Sequence, residues 1–218
     1  PVVKIKGALD PILLQGALDF IAADEERDGF TDTEWWFAVK DVPRNPLEAA
    51  VQNLMQLDLR SVLPPKMAER VAGVSWRCNV QAAELSHDFH FDSDEGTDGY
   101  LEEMPHIHPL LSTVTYLASD GGPTVLFDYS EVDAADADVL PLAGFISMPL
   151  AGKHLAFDPR LLHGVMAGLR FTDHEKAKRI ILGMNFWEFK SLESRRFEQD
   201  ASQSRSFHPV QTGSAGVQ

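Results

Sequence analysis

The chain has 218 residues, and its 33 Asp and Glu against 19 Lys and Arg give a formal net charge of −14 at pH 7. This length fits a single domain, and a hydrophobic share of 44% is enough to build a core. The acid excess argues against nucleic acid and anionic membranes as partners, and the lone Cys78 excludes an internal disulfide or a thiolate zinc cage and predicts a buried thiol.

Residues 1–73 are predicted to form a helical support region. Apolar side chains recur with a helical period over residues 9–23 and again over 45–59. Between them, the short aromatic run 34–39 predicts a strand, and Pro64-Pro65 ends the region. The first residues, Pro1-Val2-Val3-Lys4, lack the pattern of a secretory signal, and no run of the sequence reaches the roughly 20 apolar residues of a membrane span, so we expect a cytoplasmic protein.

After residue 73 the pattern changes to short apolar runs separated by Gly and Pro turns, which is typical of a sandwich or barrel. The predicted strands cover 74–80, 88–92, 111–117, 124–127, 144–148, 154–157, 162–165 and 180–189. The sequence therefore predicts a mainly β domain, a jelly roll over residues 74–190, with two helices packed on one sheet. Residues 198–218 are rich in Ser, Gln and Gly and are expected to form a flexible tail of the same domain.

Three side chains along this barrel are candidates for a metal site. In a strand, His90 and Asp92 point to the same face, which places an imidazole beside a carboxylate. His163, at the end of a later apolar run, can add the second imidazole of a 2-His-1-carboxylate group that leaves positions open on iron(II). Taken singly, a chance His-x-Asp pair and a core histidine explain the same residues.

The last predicted strand has one mixed and one apolar face. Alternation puts Arg179, Ile181, Gly183, Asn185 and Trp187 on one face, and uniformly apolar side chains on the other. An arginine facing a pocket can clamp a carboxylate with two charge-assisted hydrogen bonds, whereas an arginine at a strand end can also extend into solvent.

Taken together and in this order, His90-Phe91-Asp92, His163 and Arg179 resemble the motif of the iron(II)/2-oxoglutarate-dependent oxygenases. Two connecting segments extend the resemblance. Residues 115–127 resemble the "YL…GG-x-T…F" hairpin of prolyl-hydroxylase-like members, and residues 153–165 resemble the strand and turn that deliver the distal histidine. The similarity covers roughly residues 74–187.

The resemblance implies a double-stranded β-helix in which His90, Asp92 and His163 bind iron(II). It further implies that Arg179 pairs with the distal carboxylate of 2-oxoglutarate and that Tyr116 bonds the same group.

The sequence departs from the family pattern at Ile181, where many members have a serine. Thr113 and Thr115 are therefore further candidates, beside Tyr116, for the hydroxyl partner of 2-oxoglutarate.

The implied reaction couples oxidative decarboxylation of 2-oxoglutarate, with O2 as co-reactant, to oxidation of a C–H bond. Because halogenating members usually have Gly or Ala at the carboxylate position, Asp92 favours hydroxylation or a related oxidation. The candidate substrate contacts Asn79, Gln81, Asn185 and Trp187 suit a small polar or amino-acid-like molecule.

Two alternatives remain open at this stage. One is a protein or peptide side-chain hydroxylase of the same family. The other is a cupin-like barrel without catalysis that binds a metal or recognises a partner, for which His106 and His108 form an i, i+2 pair but lack the glutamate expected a few residues later.

The remaining histidines are assigned no role in metal binding. His87 has the opposite strand parity from His90, so we expect it to support the site or lie at the surface. His154, His174 and His208 are expected at the surface.

Overall fold

A computed structural model of the protein describes residues 2–24, 33–93, 107–134, 139–170 and 177–190. The elements, in sequence order, are β1 (Val2–Ile5), α1 (Pro11–Asp24), β2 (Trp35–Ala38), α2 (Pro46–Ser61), α3 (Pro65–Ala68), β3 (Gly73–Ala82), β4 (His87–His90), β5 (Leu111–Tyr116), β6 (Thr124–Ser130), α4 (Glu131–Ala134), β7 (Gly144–Ser147), β8 (His154–Phe157), β9 (Leu161–Val165), a 3-10 turn (Ala167–Leu169) and β10 (Lys178–Trp187). The tail predicted at 198–218 lies outside the described residues.

Two antiparallel sheets form the barrel. The larger sheet has the order β1-β8-β5-β10-β3-β2 and the smaller sheet has the order β4-β9-β6-β7. Sheets of this kind, built by strands that alternate between two facing layers, define a jelly roll. The predicted mainly β architecture with helices on one sheet is therefore confirmed.

Helix α2 covers the outer face of the larger sheet. It begins where the sequence predicts, because the Asn45 side chain accepts the Glu48 backbone N–H at 2.8 Å and Pro46 occupies the first turn. Its apolar positions, Leu54 and Met55 among them, are fully buried in the main core with α1 and the outer side chains of β3 and β10. Because the helices pack against the outer face of the larger sheet, the inner face of that sheet can line a cavity.

The N-terminal region contributes more than helices. β1 pairs with β8 at one edge of the larger sheet, and β2 pairs with β3 at the other edge. β1 was not predicted, because four residues are too few to show a period. α2 ends at Ser61, before Pro64-Pro65 as predicted, and Pro65 then opens the single turn α3, a position in which its missing N–H costs nothing.

Among the described residues, no helix has both the length and the apolar character needed to cross a bilayer.

Candidate metal centre and binding cavity

The structure brings His90, Asp92 and His163 together on the inner face of the smaller sheet. His90 ends β4 and pairs directly with His163 of β9, so both imidazoles point to the same face. Asp92 follows two residues after β4 and is fixed by its backbone N–H, which donates to the Pro159 carbonyl at 3.0 Å. One ligand atom from each of the three residues lies within 4.8 Å of the others.

Hydrogen bonds orient both imidazoles for metal binding. Nδ1 of His90 donates to the Asp88 carbonyl at 2.9 Å, and Nδ1 of His163 donates to the Leu161 carbonyl at 2.9 Å. Because a carbonyl only accepts, each Nδ1 carries the proton and each Nε2 presents a lone pair. These Nε2 atoms lie 3.7 and 3.4 Å from the two carboxylate oxygens of Asp92.

Burial also favours the ligating form of His163. Desolvation lowers the pKa of this imidazole, against the opposing effect of the Asp92 charge. The neutral ring is the form that binds a metal ion. Two such nitrogens and one carboxylate on one side of a cavity fit a divalent metal that keeps open positions for other ligands.

His108 supports this centre from outside. Its Nδ1 donates to the Asp92 carbonyl at 2.6 Å, and its Nε2 lies 2.7 Å from the Glu131 carboxylate of α4. Both nitrogens of His108 thus have hydrogen-bond partners other than the side chains of the three candidate ligands. The other half of the cupin-like pair, His106, lies outside the described residues.

Arg179 lies on the facing sheet as a buried cation. It is 4% exposed, and its guanidinium donates to the Gly122 carbonyl and to Thr124 Oγ1, each at 3.2 Å. Burial lowers the pKa of the guanidinium. Among the described residues no carboxylate lies within ion-pair distance of it, so its charge is available to an anionic ligand.

Tyr116 lies behind Arg179 and does not line the cavity. Its hydroxyl lies 2.7 Å from the Ser147 carbonyl and 2.8 Å from Thr124 Oγ1, and its side chain is fully buried. The predicted bond from Tyr116 to 2-oxoglutarate stays a prediction. Thr124 is a residue of the cavity wall, and its Oγ1 accepts hydrogen bonds from the Tyr116 hydroxyl and from Arg179.

The two threonines that were further candidates have other partners. Thr115 points to the helical side of the sheet, where its Oγ1 lies 2.8 Å from Nδ1 of His154. Thr113 is on the same face of β5 as Thr115, and its hydroxyl donates to the Met184 carbonyl at 3.3 Å. His154 is not at the surface as predicted: it is fully buried, and its Nε2 lies 3.0 Å from Asp58 of α2.

The cavity between the sheets has a volume of about 90 Å³, and its wall contains three of the four predicted substrate contacts. Asn79, Gln81 and Asn185 line it, as strand parity predicts. Trp187 does not. It is 2% exposed at the far end of β10, where its indole N–H donates to Ser75 Oγ at 2.9 Å.

The cavity wall also contains Arg77 and Glu34, which the sequence interpretation missed, and His87, which it expected to support the site or lie at the surface. Arg77 and Glu34 lie in it as an ion pair at 3.5 Å, and His87 lies beside His90 with ring centroids 5.0 Å apart. The parity that selects Asn79 and Gln81 on β3 also selects Arg77, so this residue could have been found. Glu34 could not, because its position depends on how β2 pairs with β3.

Comparison with solved structures identifies the fold. No protein-family model and no curated protein sequence matches this protein. A prolyl-4-hydroxylase from Pseudomonas putida matches with a TM-score of 0.52 and 16% identity over 90% of this chain and 88% of that chain. The protein has the double-stranded β-helix fold of this oxygenase structure.

Two further structures share this fold. A prolyl hydroxylase from Trichoplax adhaerens, solved with a peptide of hypoxia inducible factor, has a TM-score of 0.51 and 12% identity, covering 86% of this chain and 83% of that one. The non-heme alpha-ketoglutarate-dependent epimerase SnoN of nogalamycin biosynthesis also has a TM-score of 0.51 and 12% identity, covering 85% and 76%. At these identities the similarity establishes the fold alone.

Proposed function

We propose that the protein is a non-haem iron(II) dioxygenase that couples oxidative decarboxylation of 2-oxoglutarate to C–H oxidation of a small polar or amino-acid-like molecule. The observation that carries the proposal is one cavity with the His90, Asp92 and His163 group on one wall and the buried, carboxylate-free Arg179 on the other. The oxygenase fold and the order of these residues in the sequence support it.

In this function His90, Asp92 and His163 hold iron(II), which when bound supplies the redox chemistry that joins O2 to 2-oxoglutarate and the substrate. Arg179 and Thr124 bind the distal carboxylate of 2-oxoglutarate and so orient the 2-oxo acid end of that molecule toward the metal ligands.

The apolar part of the cavity protects this arrangement. Phe157, Val165 and Ile181 lie in its wall and exclude stray water from the reacting groups. The ring of Phe157 also packs against His163, with centroids 4.7 Å apart, and limits movement of that imidazole. Because Asp92 occupies the carboxylate position, no place is left there for a halide, which favours hydroxylation or a related oxidation.

Two measurements test the proposal. Wild-type protein mixed with iron(II), 2-oxoglutarate and O2 is expected to form succinate. His90→Ala and Asp92→Ala are expected to lose both iron binding, measured anaerobically by chelator competition, and succinate formation. Asp128→Ala is the matched control, because Asp128 is an exposed carboxylate of β6 outside the cavity. Failure of the wild type to bind iron(II) or to form succinate contradicts the proposal.

A second candidate is a peptide side-chain hydroxylase, since one similar structure is a prolyl hydroxylase with a bound peptide fragment. Stimulation of succinate formation by peptides, and not by free small molecules, would favour that function.

A further inference from the structure

The ion pair of Arg77 and Glu34 belongs to the same cavity wall as the candidate metal ligands, with 43% of the Arg77 side chain exposed. Arg77 pairs across the strands with Gly183, and a Cβ added to Gly183 would lie 3.6 Å from Arg77 Cγ. Arg77 therefore extends over Gly183 on the inner face of the sheet. The charge of Arg77 acts on His87, and the charge of Glu34 is within electrostatic range of Asp92.

Glu34 is held in place by a series of hydrogen bonds. The indole of Trp187 donates to Ser75 Oγ at 2.9 Å, and the Ser75 side chain in turn bonds the Glu34 carboxylate. Only 26% of the Glu34 side chain is exposed. Burial, reinforced by the charge of Asp92, raises the pKa of this carboxyl above its ordinary value although Arg77 opposes the shift. Because burial disfavours the charged form of Glu34, a second cationic group beside its carboxylate would stabilise that form.

The backbones of the two arginines are well separated on the larger sheet. Arg179 and Gly183 are four residues apart along β10, which in an extended strand is roughly 13 Å. Since Arg77 lies opposite Gly183, the two guanidinium groups can bind two different anions. Arg179 suits the distal carboxylate of 2-oxoglutarate, and Arg77 remains for an anionic group of the substrate.

The neighbouring charges of Arg77 and Glu34 are complementary to the two opposite charges of a zwitterion. Arg77 Nη2 and Glu34 Oε1 are 3.5 Å apart. In an α-amino acid the ammonium nitrogen and the nearest carboxylate atoms are separated by roughly 2.5–3.5 Å, because both groups are bonded to one carbon. Asn79 and Asn185 add neutral hydrogen-bonding groups to the same wall.

We infer that the substrate is a free α-amino acid, with its carboxylate bound by Arg77 and its ammonium group bound by Glu34. The inference rests on the proposed function and names its substrate class. The side chain of the amino acid then extends toward His90, Asp92 and His163, which places one of its C–H bonds at the oxidising centre. An internal residue of a peptide has neither charge and is not held this way.

A substrate panel with the wild-type enzyme tests this inference. Enzyme supplied with iron(II) and 2-oxoglutarate is given each of the common L-amino acids, and each one's amide and N-acetyl derivative, while succinate is measured against the rate without substrate. At least one free amino acid is expected to raise the rate. Its amide and its N-acetyl derivative should show kcat/KM values at least about tenfold lower, because each lacks one of the two charges.

Binding provides a readout that does not depend on turnover. Saturation-transfer NMR with a mixture of the free amino acids identifies those that bind, and calorimetry then gives their affinities. Arg77→Gln and Glu34→Gln are each expected to weaken binding by about tenfold or more, and Arg77→Lys to weaken it less. Arg70→Gln is the matched control, since it removes a guanidinium from an exposed pair with Glu188 outside the cavity, and it should bind as the wild type does.

The outcomes separate this inference from the proposed function. Basal succinate formation without binding or stimulation by any free amino acid overturns the substrate class and leaves the oxygenase proposal standing. Amides or N-acetyl derivatives that act as well as the free amino acid also overturn it. Amino-acid binding that depends on Arg77 and Glu34, in a protein that forms no succinate, supports the binding site and contradicts the oxygenase.

Discussion

At the residue scale, Gly121 sets the position of Arg179. Gly121 has φ = +97°, a conformation that residues with a Cβ rarely adopt. A Cβ at this position would lie only 2.5 Å from Arg179 Cβ. The buried guanidinium therefore depends on a glycine in the hairpin that crosses beneath it.

Gly121→Ala is expected to displace Arg179 and to strain the turn. We expect the KM for 2-oxoglutarate to rise at least about tenfold, and the free energy of unfolding to fall by more than about 1 kcal/mol. Succinate formation at varied 2-oxoglutarate and urea denaturation measure the two effects. Gly168→Ala is the control, because a Cβ there meets nothing within 4 Å. An unchanged KM in Gly121→Ala would contradict the dependence.

Glu34 is expected to lower the stability of the ligand-free protein. Its raised pKa means that the folded state holds the proton more tightly than the unfolded state. Its contribution to stability is therefore most favourable below the ordinary carboxyl pKa and is lost as the pH rises through the folded value. At pH 7, Glu34→Gln should raise the free energy of unfolding by less than about 1 kcal/mol, and the gain should vanish near pH 4. Urea denaturation at both pH values measures it, and a loss of stability at pH 7 would contradict it.

Sequence reasoning reached the candidate ligands because strand parity and residue order contain that information. It named Tyr116 as the hydroxyl partner of 2-oxoglutarate and did not consider Thr124, although the hairpin motif contains both residues. The two hydroxyls are 2.8 Å apart and only Thr124 belongs to the cavity wall, a difference that depends on the packing of the sheets and not on the local sequence.

At the element scale, α4 is connected to the segment after β4 through His108. Asp92 lies beyond the end of β4, where the strand ladder no longer fixes it. The contacts of His108 with the Asp92 carbonyl and with Glu131 take over that role. Partners of this kind orient metal ligands although they do not touch the metal.

His108→Ala is expected to weaken iron(II) binding about tenfold or more, because the Asp92 backbone loses its bond to His108 and keeps only the one to Pro159. Anaerobic chelator competition measures the affinity, and partial recovery in His108→Gln would show that the hydrogen bond is responsible. Val132→Ala, a change at an 83% exposed position of the same helix, serves as control. Equal iron affinities in His108→Ala and the wild type would show that Asp92 needs no such support.

Periodicity predicted α1, α2 and most strands, because in a long amphipathic element the spacing of the apolar residues follows the buried face. It gave no indication that α2 reaches the sheet through a polar contact. Asp58, His154 and Thr115 form a fully buried hydrogen-bonded series from α2 through β8 to β5. A polar residue in an apolar strand looks like a surface residue until its partner, 96 positions away in the sequence, is known.

At the scale of the whole molecule, the two faces of the larger sheet have separate tasks. The outer face joins α1 and α2 in the main apolar core, and the inner face presents Arg77, Asn79 and Arg179 to the cavity. Turn spacing predicts the jelly roll, but the pairing of β1 with β8 joins residues that are far apart in the sequence. Local patterns do not encode such long-range pairing, so the sheet order had to come from the structure.

This division has a consequence for Cys78, which lies on the outer face of β3. The thiol is fully buried beneath the helices, as the sequence predicts, and burial raises its pKa to about 12. Since it is the only cysteine of the protein, its chemical modification reports a single event, the separation of the helices from the sheet. Alkylation of the native protein should be at least about a thousandfold slower than that of the urea-unfolded protein, and its rate should follow global opening. An alkylation rate near that of the unfolded protein would contradict this prediction, because it would mean that the helices separate from the sheet without global unfolding. The molecule thus contains its own kinetic probe of unfolding, one residue away from the arginine assigned to the substrate.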